Sequence, residues 1–122
     1  ISLSDDGGIT WSEMRSDPAL VEPVCQASLL RFDRDGRPGI LLFLNPGDGE
    51  HRLRMTLRAS MDHGATWPFS MILHPGPSAY SDMVQVNNRE ILALLEAGRE
   101  SPYEGIALVR AVEISKLIEA NR

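Results

Sequence analysis

Short apolar segments alternate with clusters of turn-forming residues along most of the chain. The segment RLRMTLRAS at 52–60 alternates polar and apolar residues with the period of two that a half-buried strand shows. Gly, Pro, Asn and Asp gather between the segments, as in DRDGRPG at 33–39 and PGDGEH at 46–51, where they favour tight turns. The pattern therefore predicts an all-β fold of short antiparallel strands. We expect strands at residues 27–32, 40–45, 52–60, 70–73, 81–86, 90–96 and 105–112, followed by a short C-terminal helix over 113–122.

An eight-residue motif occurs twice, as SDDGGITW at 4–11 and SMDHGATW at 60–67. Both copies read Ser-x-Asp-x-Gly-x-Thr-Trp, and they start 56 residues apart. Repetition at such a spacing indicates a fold built from repeated supersecondary units, such as propeller blades. In each copy the glycine permits a positive φ, the aspartate can accept backbone N–H bonds across the turn, and the tryptophan can return into the layer between sheets. We therefore interpret the motif as structural, and its aspartates as non-catalytic.

Composition excludes several function classes. The formal net charge of −5 lacks the basic excess that a nucleic-acid-binding protein needs. No apolar run approaches the ~20 residues of a membrane-spanning helix. The single Cys25 cannot form a disulfide within the chain, and the histidines lie at turns without the spacing of metal ligands. We therefore predict no metal and no cofactor.

Further motifs make the fold prediction more specific. The repeated motif is the Asp-box, or BNR repeat, signature, and other stretches follow the first copy in a fixed order. These stretches are LFLNP (42–46), RLRMTLRAS leading into the second box, GPSAYSD (76–82), ILALLE (91–96) and YEGIALVR (103–110). Their succession resembles the C-terminal part of exo-α-sialidases (neuraminidases), from the first Asp box to about residue 113.

The resemblance implies an architecture and a domain organisation. Sialidases of this family are six-bladed β-propellers, so the chain is expected to form about two four-stranded antiparallel blades. Residues 1–122 would then be the C-terminal portion of a sialidase propeller domain. The remaining blades of the same propeller, upstream of residue 1, would be its structural partners, since a propeller closes as a ring.

The resemblance also implies a nucleophile. Sialic acid carries a carboxylate on its anomeric carbon, which repels a carboxylate nucleophile, and sialidases use a tyrosine instead. Tyr80, within SAYSD at 78–82, matches the place of that tyrosine. A phenol with a pKa of about 10 needs an adjacent base at neutral pH. In the family this base is a glutamate, and we expect it upstream of residue 1 with the aspartate acid/base and two substrate-binding arginines.

Arg52 matches the third arginine of the clamp that binds the substrate carboxylate, because it lies at the head of the strand that enters the second Asp box. Arg54 is the alternative, expected on the same sheet face. Arg58, an even number of positions from Arg52, is expected on that face too but lies nearer the Asp box. Glu96 matches a glutamate that orients one of the arginines, and Gln26 a glutamine that lines the pocket.

Leu95 is a departure from the family pattern, since a tyrosine commonly stands at that position, and the pocket is expected to differ there. The function implied is that of an exo-α-sialidase, a retaining glycoside hydrolase that releases terminal sialic acid from sialylated glycans. The chain by itself is expected to be inactive. Two alternatives stay open: a non-catalytic Asp-box propeller that binds glycans or proteins, and a related glycosidase that acts on another 2-keto sugar acid.

Overall fold

The computed structural model describes residues 1–121, with residue 111 described by its backbone only. Six antiparallel strands follow one another in chain order across a single curled sheet. They are β1 (Ser28–Arg34), β2 (Arg37–Pro46), β3 (Leu53–Ser60), β4 (Phe69–Gln85), β5 (Glu90–Ala97) and β6 (Gly105–Glu113). A short helix, α1 (Ile114–Glu119), follows. The all-β prediction and the C-terminal helix are confirmed, while Arg122, the last residue of the predicted helix, lies outside the described residues.

Strand β4 differs from the sequence-based prediction, which placed two separate strands at 70–73 and 81–86. The intervening HPGP segment at 74–77 is rich in turn formers, yet the backbone stays extended. Tertiary pairing explains the difference, because Leu53 of β3 pairs with Pro77 and the N–H of Ser78 donates to the carbonyl of Arg52 at 2.8 Å. The first half of β4 therefore completes a four-stranded unit with β1–β3, and its second half pairs with β5 in a three-stranded unit.

The hydrophobic core lies on the inner face of the sheet. Alternate residues of β2 are fully buried, as expected for a strand with one face in the core. A fully buried Leu or Ile side chain contributes about 1.5–3 kcal/mol relative to an exposed one. The largest buried apolar side chains are Phe32, Ile40, Leu42, Leu44, Met55, Leu57, Ile91, Leu95 and Leu117.

Helix α1 packs against this core through Ile114 and Leu117, which are both buried. The N–H of Ile114 donates to the carbonyl of Arg89 at 3.0 Å, which fastens the start of the helix to the β4–β5 turn. No helix in residues 1–121 has the length and apolarity that a membrane crossing requires.

The second Asp box forms the turn between β3 and β4. The Asp62 carboxylate accepts hydrogen bonds from the backbone N–H and the hydroxyl of Thr66 at 2.9 and 2.6 Å, and from the Ser60 hydroxyl at 2.7 Å. Gly64 has a φ of +85°, a conformation that glycine adopts at no steric cost. The hydrogen bonds from Thr66 and Ser60 lower the pKa of Asp62 to about 2. Both oxygens of this carboxylate accept hydrogen bonds from its own turn, in agreement with the structural interpretation.

The first Asp box repeats this geometry in residues 4–11. The Asp6 carboxylate accepts from the Thr10 hydroxyl at 2.6 Å and its backbone N–H at 2.9 Å, and its pKa is lowered to about 2 by those bonds. The tryptophans differ: Trp67 packs beside Phe43 with ring centroids 5.9 Å apart, whereas Trp11 is 63% exposed. Trp11 departs from the expected inter-sheet position because residues 1–27 form no strand, and its ring lies on its own turn, with Nε1 donating to the Gly8 carbonyl at 3.1 Å.

Candidate active site

Arg52, Tyr80 and Glu96 lie together at one end of the sheet, although they are distant in sequence. The length of β4 explains this, because its first half pairs with β3 and its second half with β5. The start of β3, where Leu53 pairs with Pro77, and the end of β5, where Ala97 pairs with Ser78, therefore meet beside the middle of β4. Tyr80 lies in the middle of the long β4, near the point where its pairing passes from β3 to β5. The second Asp box, which begins at Ser60, the last residue of β3, lies at the opposite end of that strand.

A β-bulge directs Tyr80 outward. The register of β4 against β5 shifts between Ser78 and Ser81, which leaves one extra residue on β4. Bulges of this kind re-aim a side chain and are frequent beside active sites. Ser78, Ala79 and Ser81 are buried, while the side chain of Tyr80 is 50% exposed. The tyrosine is therefore presented to solvent by an otherwise buried segment.

Glu96 holds the backbone of this segment. Its Oε2 atom accepts a hydrogen bond from the backbone N–H of Tyr80 at 3.1 Å. The contact joins the carboxylate to the backbone amide and not to the phenol hydroxyl. In this geometry Glu96 contacts the backbone of Tyr80, and none of the described hydrogen bonds joins it to the phenol.

Arg52 places a positive charge beside the phenol. Its guanidinium carbon lies 5.7 Å from the centroid of the Tyr80 ring, within the range of a cation–π contact. Nη1 donates to the hydroxyl of Tyr103 at 2.6 Å, and Nη2 donates to the carbonyl of Val24 at 3.2 Å. Charge interaction with Cys25, and next the hydrogen bond to Tyr103, raise the pKa of Arg52. Arg52 is therefore a cation held at three points.

Gln26 braces the same segment from the residues before β1. Its Oε1 accepts from the N–H of Ser81 at 3.1 Å, and its Nε2 donates to the carbonyl of Ser81 at 3.1 Å. The side-chain amide thus pairs with both backbone groups of Ser81, as a neighbouring strand would. The Ser81 hydroxyl in turn donates to the carbonyl of Leu44 at 3.1 Å. Gln26 thereby ties the residue that follows Tyr80 to the core of the sheet.

An open cleft runs beside the tyrosine. Polar groups of Gln26, Tyr80 and Glu96 line it, together with the exposed apolar side chains of Leu94 and Ile106. Leu95, at the position where the resemblance leads us to expect a tyrosine, also borders the cleft but is buried. Three of the four predicted site residues therefore line one cleft, and the fourth, Arg52, contacts the Tyr80 ring.

The two arginines within β3, Arg54 and Arg58, have surroundings different from those of Arg52. Two register shifts between β3 and β4 lie beside Arg54, which has a φ of +61°, so the alternation that would place it on the face of Arg52 is interrupted. Arg58 is buried, and its Nη1 donates to Oδ1 of Asn45 at 2.7 Å. Desolvation lowers the pKa of Arg58. Among the described residues, Arg52 is the arginine that contacts Tyr80.

Tyr103 is a site residue that sequence reasoning missed. It lies in the loop between β5 and β6, and its hydroxyl accepts the hydrogen bond from Arg52. The signal available in the sequence was its position at the head of YEGIALVR, one of the stretches that carry the family resemblance. The motif supports the resemblance, but no local pattern assigns a role to its first residue.

The chemistry available at this end of the sheet is that of a phenol beside a fixed cation. The arginine can bind an anionic group, and the exposed phenol can act as a nucleophile once a base removes its proton. Among residues 1–121, His, Cys, Asp and Glu side chains form no group of three or more that could hold a metal ion.

Comparisons with known proteins agree with this architecture. The family model of the BNR repeat-like domain matches residues 1–93. The chain is 31% identical over 113 residues to a sialidase of Micromonospora viridifaciens, an alignment that covers 88% of this chain and 18% of the relative. It is 35% identical over 103 residues to a sialidase of Vibrio cholerae, covering 77% of this chain and 13% of the relative.

The solved structure of the Hadza microbial sialidase Hz136 is similar as well, with a TM-score of 0.78 and 32% identity over 95% of this chain and 23% of that one. The chain thus spans less than a fifth of the length of these two curated relatives. The predicted resemblance and the propeller-type fold are confirmed. This chain belongs to the BNR repeat-like domain family, and over most of its length it is similar to sialidases.

Proposed function

We propose that the chain is the C-terminal portion of an exo-α-sialidase propeller, a retaining glycoside hydrolase that releases terminal sialic acid from glycoconjugates. Tyr80 is the nucleophile of this proposal, and Arg52 binds the substrate carboxylate. The observation that carries it is the contact of the Arg52 guanidinium with the ring of the exposed Tyr80. Similarity to sialidases over most of the chain supports the same assignment.

The pairing of these two side chains suits a sugar that bears a carboxylate on its reacting carbon. The arginine attracts the carboxylate, and the neutral phenol approaches the carbon without the charge repulsion that an aspartate or glutamate would meet. When the phenol oxygen attacks the anomeric carbon, the bond to the leaving glycan breaks, and a tyrosyl–sialoside bond forms. Water then cleaves that bond, and two displacements in succession retain the configuration.

Arg52 keeps donors for the substrate. A guanidinium has five N–H groups, and two of those of Arg52 are used by Tyr103 and Val24. The remaining donors can bind the two oxygens of a carboxylate as a planar fork. Because the contacts with Tyr103 and Val24 already fix the side chain, less conformational entropy is lost when the substrate binds.

Glu96 and Gln26 have supporting roles in the proposal. Glu96 holds the backbone of Tyr80 and orients an arginine contributed by another blade, and Gln26 lines the pocket while bracing Ser81. The base for the phenol, the acid that protonates the leaving group and the other two arginines come from the remaining blades. For this reason we expect residues 1–122 alone to be inactive, and the tests below use the full-length protein.

Replacement of Tyr80 by Phe tests the nucleophile. The variant retains the ring that contacts Arg52 but lacks the attacking oxygen, so kcat on an aryl sialoside should fall by at least about 10³-fold. Binding of sialic acid, measured by calorimetry, should be retained, because Arg52 is unchanged. Near-normal turnover in this variant would contradict the assignment of Tyr80, and loss of sialic-acid binding along with unfolding would show a structural role instead.

A further inference from the structure

We infer that Tyr103 is a positioning residue of this site, and that its hydroxyl holds the Arg52 guanidinium in the orientation that receives the substrate carboxylate. The inference rests on the proposed function and extends it to the β5–β6 loop. It assigns to this loop a part in substrate affinity, separate from the nucleophile and from the Asp boxes.

The first support is the geometry of the contact. The Arg52 Nη1–Tyr103 Oη distance is 2.6 Å, and the two residues are 51 positions apart. A long, charged side chain at the protein surface samples many rotamers, and it needs partners to stay in one of them. The hydroxyl of Tyr103 and the carbonyl of Val24 bind one Nη atom each, so together they fix the plane of the guanidinium.

The second support is the exposure of Tyr103. Its side chain is 62% exposed, so it contributes little to the hydrophobic core. Within residues 1–121, the one side-chain hydrogen bond that Tyr103 makes is the bond to Arg52. A phenol in this setting is explained by its hydroxyl contact better than by packing of its ring.

The third support is the rigidity of the loop that carries Tyr103. The carboxylate of Glu104 accepts three backbone N–H bonds, from Arg99, Glu100 and Ser101, at 3.1, 2.7 and 2.7 Å. These bonds lower the pKa of Glu104, which is therefore ionised at neutral pH. Such charge-assisted bonds are stronger than neutral ones, so the loop is ordered before any ligand arrives.

Gly98, at the start of the same loop, shows how tightly this loop is wound. A Cβ atom at that position would collide with the Ser101 carbonyl and with the side chain of Glu104. The N–H of Gly98 donates to the carbonyl of Pro77 at 3.1 Å, which anchors the loop to β4 a few residues before Tyr80. The loop thus holds Tyr103 on one side of Arg52 while Tyr80 occupies another.

The test compares an anionic ligand with a neutral one in the full-length protein. We would measure the affinity for N-acetylneuraminic acid and for its methyl ester by calorimetry, and kcat and KM on an aryl sialoside. For Tyr103→Phe we expect about a tenfold loss of affinity for the acid, since one hydrogen bond to a charged group is removed. Affinity for the ester and kcat should change little, because the ester offers Arg52 no charge and Tyr80 is intact.

Arg99→Ala is the matched control in the same loop. The described contact of Arg99 uses its backbone N–H, which alanine keeps. The Arg99→Ala variant should therefore prefer the acid over the ester as strongly as the wild type does. Thermal midpoints of all variants show whether folding is affected.

Three outcomes would overturn the inference. If Tyr103→Phe keeps the wild-type preference for the acid while Arg52→Ala loses it, Tyr103 has no positioning role and the proposed function survives. If Tyr103→Phe weakens acid and ester equally and lowers the thermal midpoint, its role is structural. If the wild type itself binds the ester as tightly as the acid, the carboxylate clamp fails, and the proposed function with it.

Discussion

The two ends of the sheet satisfy their polar groups in different ways. At the Asp-box end, every hydrogen bond of Asp62 comes from residues within four positions of it in sequence. At the other end, Arg52 and Tyr103 are joined across 51 positions, and Gln26 and Ser81 across 55. The Asp-box turn is therefore defined by its own short sequence, whereas the site around Tyr80 exists only when strands from separate parts of the chain come together.

This difference separates structural from functional acids and bases. Both carboxylate oxygens of Asp62 accept hydrogen bonds from its own turn, and its pKa of about 2 reflects those bonds. Arg52, in contrast, keeps donors beyond those that fix it, next to an exposed phenol. Substitutions at the two ends should therefore affect different quantities, stability at one and substrate turnover at the other.

The second-largest loss of activity, after that of Tyr80→Phe, should come from replacing Arg52. In the proposed function its charge binds the substrate carboxylate, so Arg52→Ala should lower kcat/KM about 10- to 100-fold. Arg54→Ala is the matched control two residues further along the chain, since Arg54 lies at a bulge of β3 with a positive φ. Steady-state kinetics on an aryl sialoside gives kcat/KM for both variants. An equal loss in Arg52→Ala and Arg54→Ala would contradict a specific role for Arg52.

A smaller effect, of a different kind, is expected at the Asp-box end. Asp62→Asn removes the charge that accepts the Thr66 and Ser60 bonds, so the thermal midpoint should fall while kcat/KM of the folded protein stays the same. The ionised Asp62 stabilises the fold fully above its ordinary pKa of 3.8, and this contribution is lost as the pH falls through about 2. The difference in midpoint between wild type and variant should therefore shrink between pH 5 and pH 2.

Asp5→Asn serves as the control for that experiment. Asp5 neighbours the aspartate of the first box, and within the described residues its side chain makes no hydrogen bond. Its replacement should leave the midpoint unchanged at every pH. A loss of turnover in Asp62→Asn without a change in stability would contradict the structural interpretation of the box.

The sequence was sufficient for features that depend on short segments. Glycine and aspartate positions in 4–11 and 60–67 fix the turn geometry locally, and the alternation of apolar residues with turn clusters locates every described strand except β4, which it divides in two. The family resemblance placed Tyr80, Glu96 and Gln26, and the structure brings all three to one cleft. Such features can be predicted from a few neighbouring residues or from the order of motifs along the chain.

Features that depend on pairing between distant segments could not be predicted from local sequence. The HPGP segment at 74–77 has the composition of a turn, but pairing with β3 keeps it extended. The bulge at Arg54 interrupts an alternation that the sequence shows as regular. Tyr103 reaches Arg52 only because the β5–β6 loop lies beside the start of β3, which no local pattern indicates.

The central claim, that Tyr80 is the nucleophile, is tested most directly by trapping its covalent intermediate. The reagent is a sialosyl fluoride that carries a second fluorine beside the anomeric carbon. The attacking oxygen bonds to the anomeric carbon and displaces fluoride, and the second fluorine slows the hydrolysis of the resulting sialosyl-enzyme. The labelled full-length protein is then digested and its peptides are identified by mass spectrometry. We predict one sialosyl group on the peptide that contains Tyr80 and none in Tyr80→Phe, whereas a label on an aspartate or glutamate, or turnover that leaves no label, would contradict the account.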